Sequence, residues 1–272
     1  MPDQYAVIGN PVAHSKSALI HAAFARQTGQ DLVYEQLLAP TDAFIATANA
    51  FRTRGGRGLN VTLPFKVEAF RYATLLSGRA RAAQAVNTLK FDGEVIFGDN
   101  TDGAGLVNDL LRNLGCAIAG RRILLLGAGG AARGVAEPLL RQQPAQFVLA
   151  NRTLDKARRL AQDFRGALKP STYAALAGRQ FDLVVNATSA SLAGELPPLP
   201  PQAFAPGALA YDMMYGRGET PFLAFARGEG AALLADGLGM LVEQAAESFF
   251  IWRGLRPDSA PVLQLLRRTQ DA

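Results

Sequence analysis

Three residue types are nearly missing from this 272-residue chain, which has one cysteine, two histidines and one tryptophan. A single thiol, Cys116, excludes an intrachain disulfide and suits a reducing compartment, so a cytoplasmic location is expected. With only His14 and His21 beside it, a His/Cys metal cluster is excluded on count, and no metal is expected. The same scarcity moves acid–base chemistry from imidazole toward lysine or a carboxylate. His14, in "AHSKS", reads as structural.

No uninterrupted apolar run approaches the ~20 residues of a membrane span. The opening "MPDQYAVIGN" has neither a basic leader nor a long apolar core, so neither a signal peptide nor a membrane is expected. Blocks of like charge are lacking too. Arg121-Arg122, Arg158-Arg159 and Arg267-Arg268 are isolated pairs, read as solvated surface, and nucleic-acid binding is not expected. A formal charge of +5 suits small anionic ligands better.

What is present is an alternation of short strand-like and longer helix-like runs, without repeats. "YAVIG" reads as a buried strand. "SALIHAAFARQTG" reads as a helix with Leu19, Ile20, Ala23 and Phe24 on one face and Gly29 as its stop. "LVYEQLLA" is a strand, "TDAFIATANAFRTRGG" a helix with Thr or Asp as its cap, and "RGLNVTL" a strand. The βαβα order argues for a parallel sheet with helices on its faces. "AVNTLKF" and "EVIFG" form a pair of short strands around "DG".

After "GDNTDG" and a helix the pattern restarts with "RILLLG", so a second α/β unit begins near residue 104. The fold class expected is α/β with two open lobes, the second Rossmann-type. "ELPPLPP" is a loop, "ALAYDMMY" a strand, and the chain is helical from "GMLVEQAAESFFIWRG" to near its end.

"ILLLGAGGAARG" places Gly127, Gly129 and Ala132 in a G-x-G-x-x-A pattern between a strand and a helix. Gly127 permits a tight turn, Gly129 a close approach to pyrophosphate, and Ala132 close helix–strand packing. The next strand ends at Asn151, where an NAD site wants a carboxylate for the ribose hydroxyls. Arg152, Thr153 and Lys156 follow, and cations there pair with a 2′-phosphate. NADP is therefore favoured over NAD.

In "GLNVTLPFKVEAF", Asn60 and Thr62 share one strand face. Pro64 ends the strand and suits a helix start. Lys66 then stands in the first helical turn, an unfavourable place for a cation unless an anion is near. Taken alone it is equally a surface lysine. Ser15 and Ser17 precede a helix, either as caps or as receivers of a carboxylate. Asp102 is either a helix cap or a buried partner of Lys66. Gln244 is a core-edge amide or a solvated one.

"GNPVAHSKS", "NVTLPFK", "AVNTL", "GDNTDG", "GAGGAARG", "NRT", "NATS", "YDMMY" with "TPF", and "ADGLGMLVEQAA" together resemble the shikimate dehydrogenase family, in order and over nearly the whole chain. That resemblance implies two α/β lobes with a cleft between them and the last helices returning to the first, so that residues 1–103 plus 237–272 bind shikimate and 104–236 bind NADP, in a monomer or homodimer. It implies that Ser15, Ser17, Asn60, Thr62, Lys66, Asn87, Asp102, Tyr215 and Gln244 contact shikimate, with Lys66 and Asp102 as the catalytic pair. NADP would be held by Gly127, Ala128, Gly129, Gly130, Ala131, Asn151, Arg152, Thr153 and Lys156. Thr188, Met213 and Gly237 would flank the nicotinamide.

The sequence departs from the family pattern at Gly78, where acidic residues are common. It departs again at Met214, and at Lys156, where arginine also occurs. Rival readings are a quinate/shikimate dehydrogenase accepting NAD, a non-catalytic NADP or shikimate sensor, and a folate-type dehydrogenase. The last leaves Ser15 and Ser17 without a purpose, and the sensor has no need of both Lys66 and Asp102.

Overall fold

A computed structural model describes residues 1–188 and 195–271 of the chain. Contacts divide it into two compact units. Met1–Gly105 with Val242–Leu265 form the first, and Leu106–Leu241 with Leu266–Ala272 the second. Residues 237–241 and 266–272 thus pack with the second unit, although the sequence reading gave them to the first. Met240 joins that unit's core, and Arg267 pairs with Asp236 at 2.7 Å.

The first unit runs β1 (Asp3–Gly9), α1 (Ser17–Thr28), β2 (Leu32–Leu38), α2 (Phe44–Thr53), β3 (Gly56–Val61), α3 (Lys66–Tyr72), β4 (Leu75–Leu76), α4 (Gly78–Ala83), β5 (Thr88–Asp92) and β6 (Val95–Asp99). Its sheet has the order β2-β1-β3-β5-β6-β4. The β1 pairings with β2 and β3 are parallel, whereas β5 runs antiparallel to both β3 and β6. The sheet is therefore mixed. The reversal comes from the hairpin around Asp92-Gly93, where Gly93 takes φ +56°.

The buried face of α1 is Ser17, Ile20, His21, Phe24 and Ala25, while Leu19 is exposed. The true apolar stripe is thus rotated from the one expected, because a serine and a histidine belong to it. No side chain caps α1 or α2, so neither Ser17 nor the Thr41/Asp42 pair serves as the expected cap.

The second unit opens with α5 (Asp102–Asn108), which straddles the division and continues as a π-helical turn, Asp109–Asn113. β7 (Arg122–Leu126), α6 (Gly130–Leu140), β8 (Gln146–Ala150), α7 (Leu154–Gln162), β9 (Lys169–Ser171), β10 (Phe181–Asn186), β11 (Phe204–Asp212), α8 (Pro221–Gly228) and β12 (Leu233–Asp236) follow. The sheet order is β12-β11-β10-β7-β8-β9 and every pairing is parallel. Strands covered on both faces read as continuous apolar runs, as in "ILLL" of β7 and "LVV" of β10, which are fully buried.

The chain ends with α9 (Leu238–Arg253) and α10 (Ala260–Asp271). Gly254, at φ +70°, ends α9, so the expected continuous helix is two. Among the described residues no helix is long and apolar enough to cross a membrane.

Candidate active site

In the first unit the strands β3 and β6 end where β5 begins, because β5 is antiparallel to both. Three polar segments are thereby brought to one sheet edge: the end of β3 with Thr62 and Lys66, Asn87 before β5, and the "GDNTDG" loop after β6. Asn60 lies opposite Thr88, and Thr88 opposite Asp99, so these three form a row across the sheet. Pro64 and Phe65 end β3 and start α3, which places Lys66 at that helix's first position.

Lys66 Nζ donates to Asp102 Oδ2 at 2.6 Å. The other carboxylate oxygen, Oδ1, accepts from Asn87 Nδ2 at 2.8 Å. Asn87 is itself oriented by the backbone: the Thr101 N–H donates to its Oδ1 at 2.8 Å, which leaves its NH₂ for the carboxylate. Asn87 Nδ2 also reaches Gln244 Oε1 at 3.4 Å, which the Thr101 hydroxyl meets at 3.3 Å. The loop braces itself, since the Asp102 N–H donates to Asn100 Oδ1 and the Asn100 amide donates to Ala85 O. Asp102 is thus a partner of Lys66, and not merely a helix cap.

Lys66 and Asp102 are half-buried, their side chains 29% and 15% exposed. One of the lysine's three N–H groups is committed, and the pair remains open to a ligand.

Ser15 Oγ donates to Ser17 Oγ at 3.0 Å and accepts from the Ser17 N–H. Two hydroxyls thus converge at the start of α1. The Thr62 hydroxyl makes no hydrogen bond among the described residues. Its methyl lies 2.4 Å from where a Cβ on Gly9 would be, so a larger residue at position 9 would displace it.

The structure therefore joins Lys66, Asn87, Asp102 and Gln244 directly, and Asn60 to them through the Asn87 carbonyl. Ser15 and Ser17 bond each other. Tyr215 follows β11 in the second unit, half-buried, and burial with Asp236 raises its phenol above the ordinary range. His14 is exposed.

Sequence reasoning missed Thr88, Thr101, Ser248, Tyr34 and His21, all of which hold these groups. Thr88 Oγ1 lies 2.8 Å from Ser248 Oγ, and Asn60 Nδ2 donates to Ser248 at 3.0 Å. Ser248 is four residues after Gln244, and His21 four after Ser17. That helical spacing was the available signal. Arg79, beside Gly78, donates twice to Asp99 and once to Glu247, which also takes Arg256. No acidic residue stands at position 78, where a Cβ would meet nothing within 4 Å.

In the second unit the sheet order reverses between β7 and β10, the place where such sheets bind nucleotides beyond their carboxyl ends. Gly127 leaves β7 at φ +97°, a conformation that excludes a side chain, and a Cβ there would lie 2.9 Å from Thr188 Cγ2. A Cβ on Gly129 or Gly130 would meet nothing within 4 Å, so the turn is open above the start of α6. That helix has Gly129 at its N-cap and no side chain capping it. Ala132 is fully buried against the sheet. Half-buried Ala128 and Ala131 keep the turn small.

After β8, Asn151 Nδ2 donates to Thr153 O and closes the "NRT" turn. Arg152 and Lys156 are exposed and make no ion pair among the described residues. Thr188 donates its N–H and hydroxyl to Asn186 Oδ1, and Asn186 Nδ2 donates to the buried Asp212 carboxylate. Asp212 also accepts from Met214 N–H and the Thr220 hydroxyl, which joins the "YDMMY" and "TPF" segments. A Cβ on Gly237 would lie 2.2 Å from Met213 O. Thr188, Met213 and Gly237 thus line the ends of adjacent strands. Ser189, the last residue of "NATS", lies outside the described residues.

A parallel sheet with this order and turn is the nucleotide-binding half of a dehydrogenase, and a lysine–carboxylate pair ringed by amides is suited to proton transfer beside a polyol. The chain is of the nicotinamide-dependent oxidoreductase class. Residues 7–89 match the shikimate dehydrogenase substrate-binding domain family, and residues 109–193 the shikimate/quinate 5-dehydrogenase family. Residues 237–267 match the shikimate 5′-dehydrogenase C-terminal domain family.

A protein named shikimate dehydrogenase (NADP(+)) from Nitrosospira multiformis is 62% identical over 98% of each chain. An Ael1 enzyme from Pseudomonas putida is 50% identical over 97% of this chain and 98% of that one, with a TM-score of 0.94. Shikimate 5-dehydrogenase from Thermus thermophilus, solved in complex with NADP(H) and shikimate, is 34% identical over 98% and 99%, with a TM-score of 0.86. This chain belongs to the shikimate dehydrogenase family.

Proposed function

We propose that the chain catalyses the reversible NADPH-dependent reduction of 3-dehydroshikimate to shikimate, a step in aromatic amino-acid biosynthesis, in the cytoplasm. The observation that carries the reading is the 2.6 Å Lys66–Asp102 contact, held within amides and hydroxyls at one sheet edge. Substrate binding falls to residues 1–103 with the returning C-terminal helices, and cofactor binding to residues 104–236.

NADP fits the second unit. The open glycine turn and the uncapped N-terminus of α6 suit a pyrophosphate. Arg152 and Lys156, which make no ion pair among the described residues, together with Asn151 and Thr153, suit a 2′-phosphate. Gly127 to Ala131 hold the backbone close, and Thr188, Met213 and Gly237 flank the ring. When bound, NADPH supplies the hydride.

Lys66 gives its proton to the ketone oxygen and takes it back in the reverse direction. Its ammonium also stabilises charge that grows on that oxygen. Asp102, gripped by Asn87, keeps the lysine in place. Ser15 and Ser17 take the substrate carboxylate. Asn60, Thr62, Asn87, Tyr215 and Gln244 take its hydroxyls, so an analogue that lacks a hydroxyl is rejected.

Shikimate with NADP⁺ should produce NADPH absorbance, with quinate and NAD⁺ as controls. Lys66→Ala should lower kcat by about 10²–10⁴-fold, with KM for shikimate changed little. Wild-type turnover in that variant would overturn the assignment of Lys66.

A further inference from the structure

Among the groups that the proposed chemistry leaves unused, His21 stands apart. It lies on the inner face of α1, fully buried. Its ring stacks on Tyr34 at 4.4 Å between centroids and 10° between planes, and contacts Trp252 at 5.1 Å. Phe24 and Phe249 close the box at 6.1 and 6.3 Å. Nε2 lies 3.1 Å from Asn60 Oδ1, and Nδ1 has no hydrogen-bond partner among the described residues. A buried nitrogen without a partner is costly, so the Nε2 bond to Asn60 is the ring's polar anchor.

The backbone decides which nitrogen carries the proton. One end of the Asn60 amide faces the Asn87 carbonyl at 3.4 Å, and a carbonyl only accepts. That end is therefore the NH₂, which also meets Ser248 Oγ and Thr88 Oγ1. The opposite end is the oxygen, which accepts from the Tyr34 hydroxyl at 2.7 Å. His21 must then present N–H at Nε2, and its bare nitrogen is Nδ1.

We infer that His21, as the Nε2–H tautomer, is a positioning residue that holds the Asn60 amide oxygen, so that the NH₂ stays turned to the Asn87 carbonyl and the Thr88 and Ser248 hydroxyls and keeps the edge of the substrate site in register. This rests on the substrate-binding role proposed for Asn60. Burial pulls the imidazole down to about 3 despite the Asn60 bond, so the neutral ring persists at working pH. Tyr34 is the titratable group stacked on it, and its phenol is held far above the ordinary range by burial.

The test uses His21→Phe, which keeps the ring and removes the donor, and His21→Gln, which restores an N–H. His21→Phe should raise KM for shikimate by about five- to tenfold, the loss of one buried hydrogen bond. Its kcat and its KM for NADP⁺ should change less than about twofold, and His21→Gln should recover part of the loss. In an Asn60→Ala background, His21→Phe should have no further effect on KM, which a merely structural role would not produce.

If Asn60→Ala raises KM and His21→Phe does not, the inference fails while the reading of Asn60 stands. If Asn60→Ala leaves KM unchanged, that reading fails and the inference with it. Should His21→Phe not fold, the wild-type protein decides by nitrogen-detected NMR. Protonation at Nε2, unchanged from about pH 5 to about pH 9, supports the inference, and protonation at Nδ1 overturns it.

Discussion

At the scale of single residues, the site works by making side-chain amides single-minded. Asn87 has its oxygen claimed by a backbone N–H and so turns its NH₂ to Asp102. Its aspartate isostere has no such donor and sets a second carboxylate against the first. Asn87→Asp should therefore lower kcat/KM for shikimate by at least about tenfold while leaving NADP⁺ binding intact, as measured by fluorescence titration.

The role proposed for Arg152 rests on charge alone. Arg152→Glu should raise KM for NADP⁺ by about 10²-fold and narrow the preference over NAD⁺, a comparison that steady-state assays with both cofactors provide. An unchanged cofactor preference would refute its contact with the 2′-phosphate.

At the scale of elements, the position of the "GDNTDG" loop depends on an ion cluster beneath it. Asp99, at the end of β6, is 4% exposed and paired twice with Arg79, and Arg79 reaches Glu247 on α9. Removal of the arginine leaves a buried carboxylate uncompensated. Arg79→Ala should destabilise the first unit by about 3 kcal/mol, seen as an earlier chemical-denaturation midpoint, and Arg79→Lys should recover only part.

This scale also shows how much was legible. Strands such as "RILLLG" and "FDLVVN" announce themselves by apolar runs, whereas Lys66 and Asp102, at element ends, read equally as a surface lysine and a helix cap until the family resemblance paired them. Thr88, Thr101, Ser248 and His21 did not. A buried hydroxyl or imidazole looks like any polar residue until its partners arrive from distant segments, as Ser248 meets Thr88 from 160 residues away. The division of α9 and α10 between units was hidden for the same reason. Helical periodicity shows that a face is buried, and not what it is buried against.

For the molecule as a whole, His21 ties stability to acidity. Its pKa falls from 6.5 to about 3 on folding, so the unfolded chain binds a proton that the folded one refuses. The stabilising contribution is complete above about pH 6.5 and is lost as pH drops toward about 3, at roughly 1.4 kcal/mol per unit. Urea melts at about pH 4.5 and about pH 7 should differ by roughly 2–3 kcal/mol more in the wild type than in His21→Phe. Equal differences would remove the imidazole from the acid response.

The space beside the bare α-carbon of Gly9 is taken by the Thr62 methyl. A methyl added at position 9 would lie 2.4 Å from that of Thr62, so alanine there obliges the threonine side chain or the end of its strand to shift.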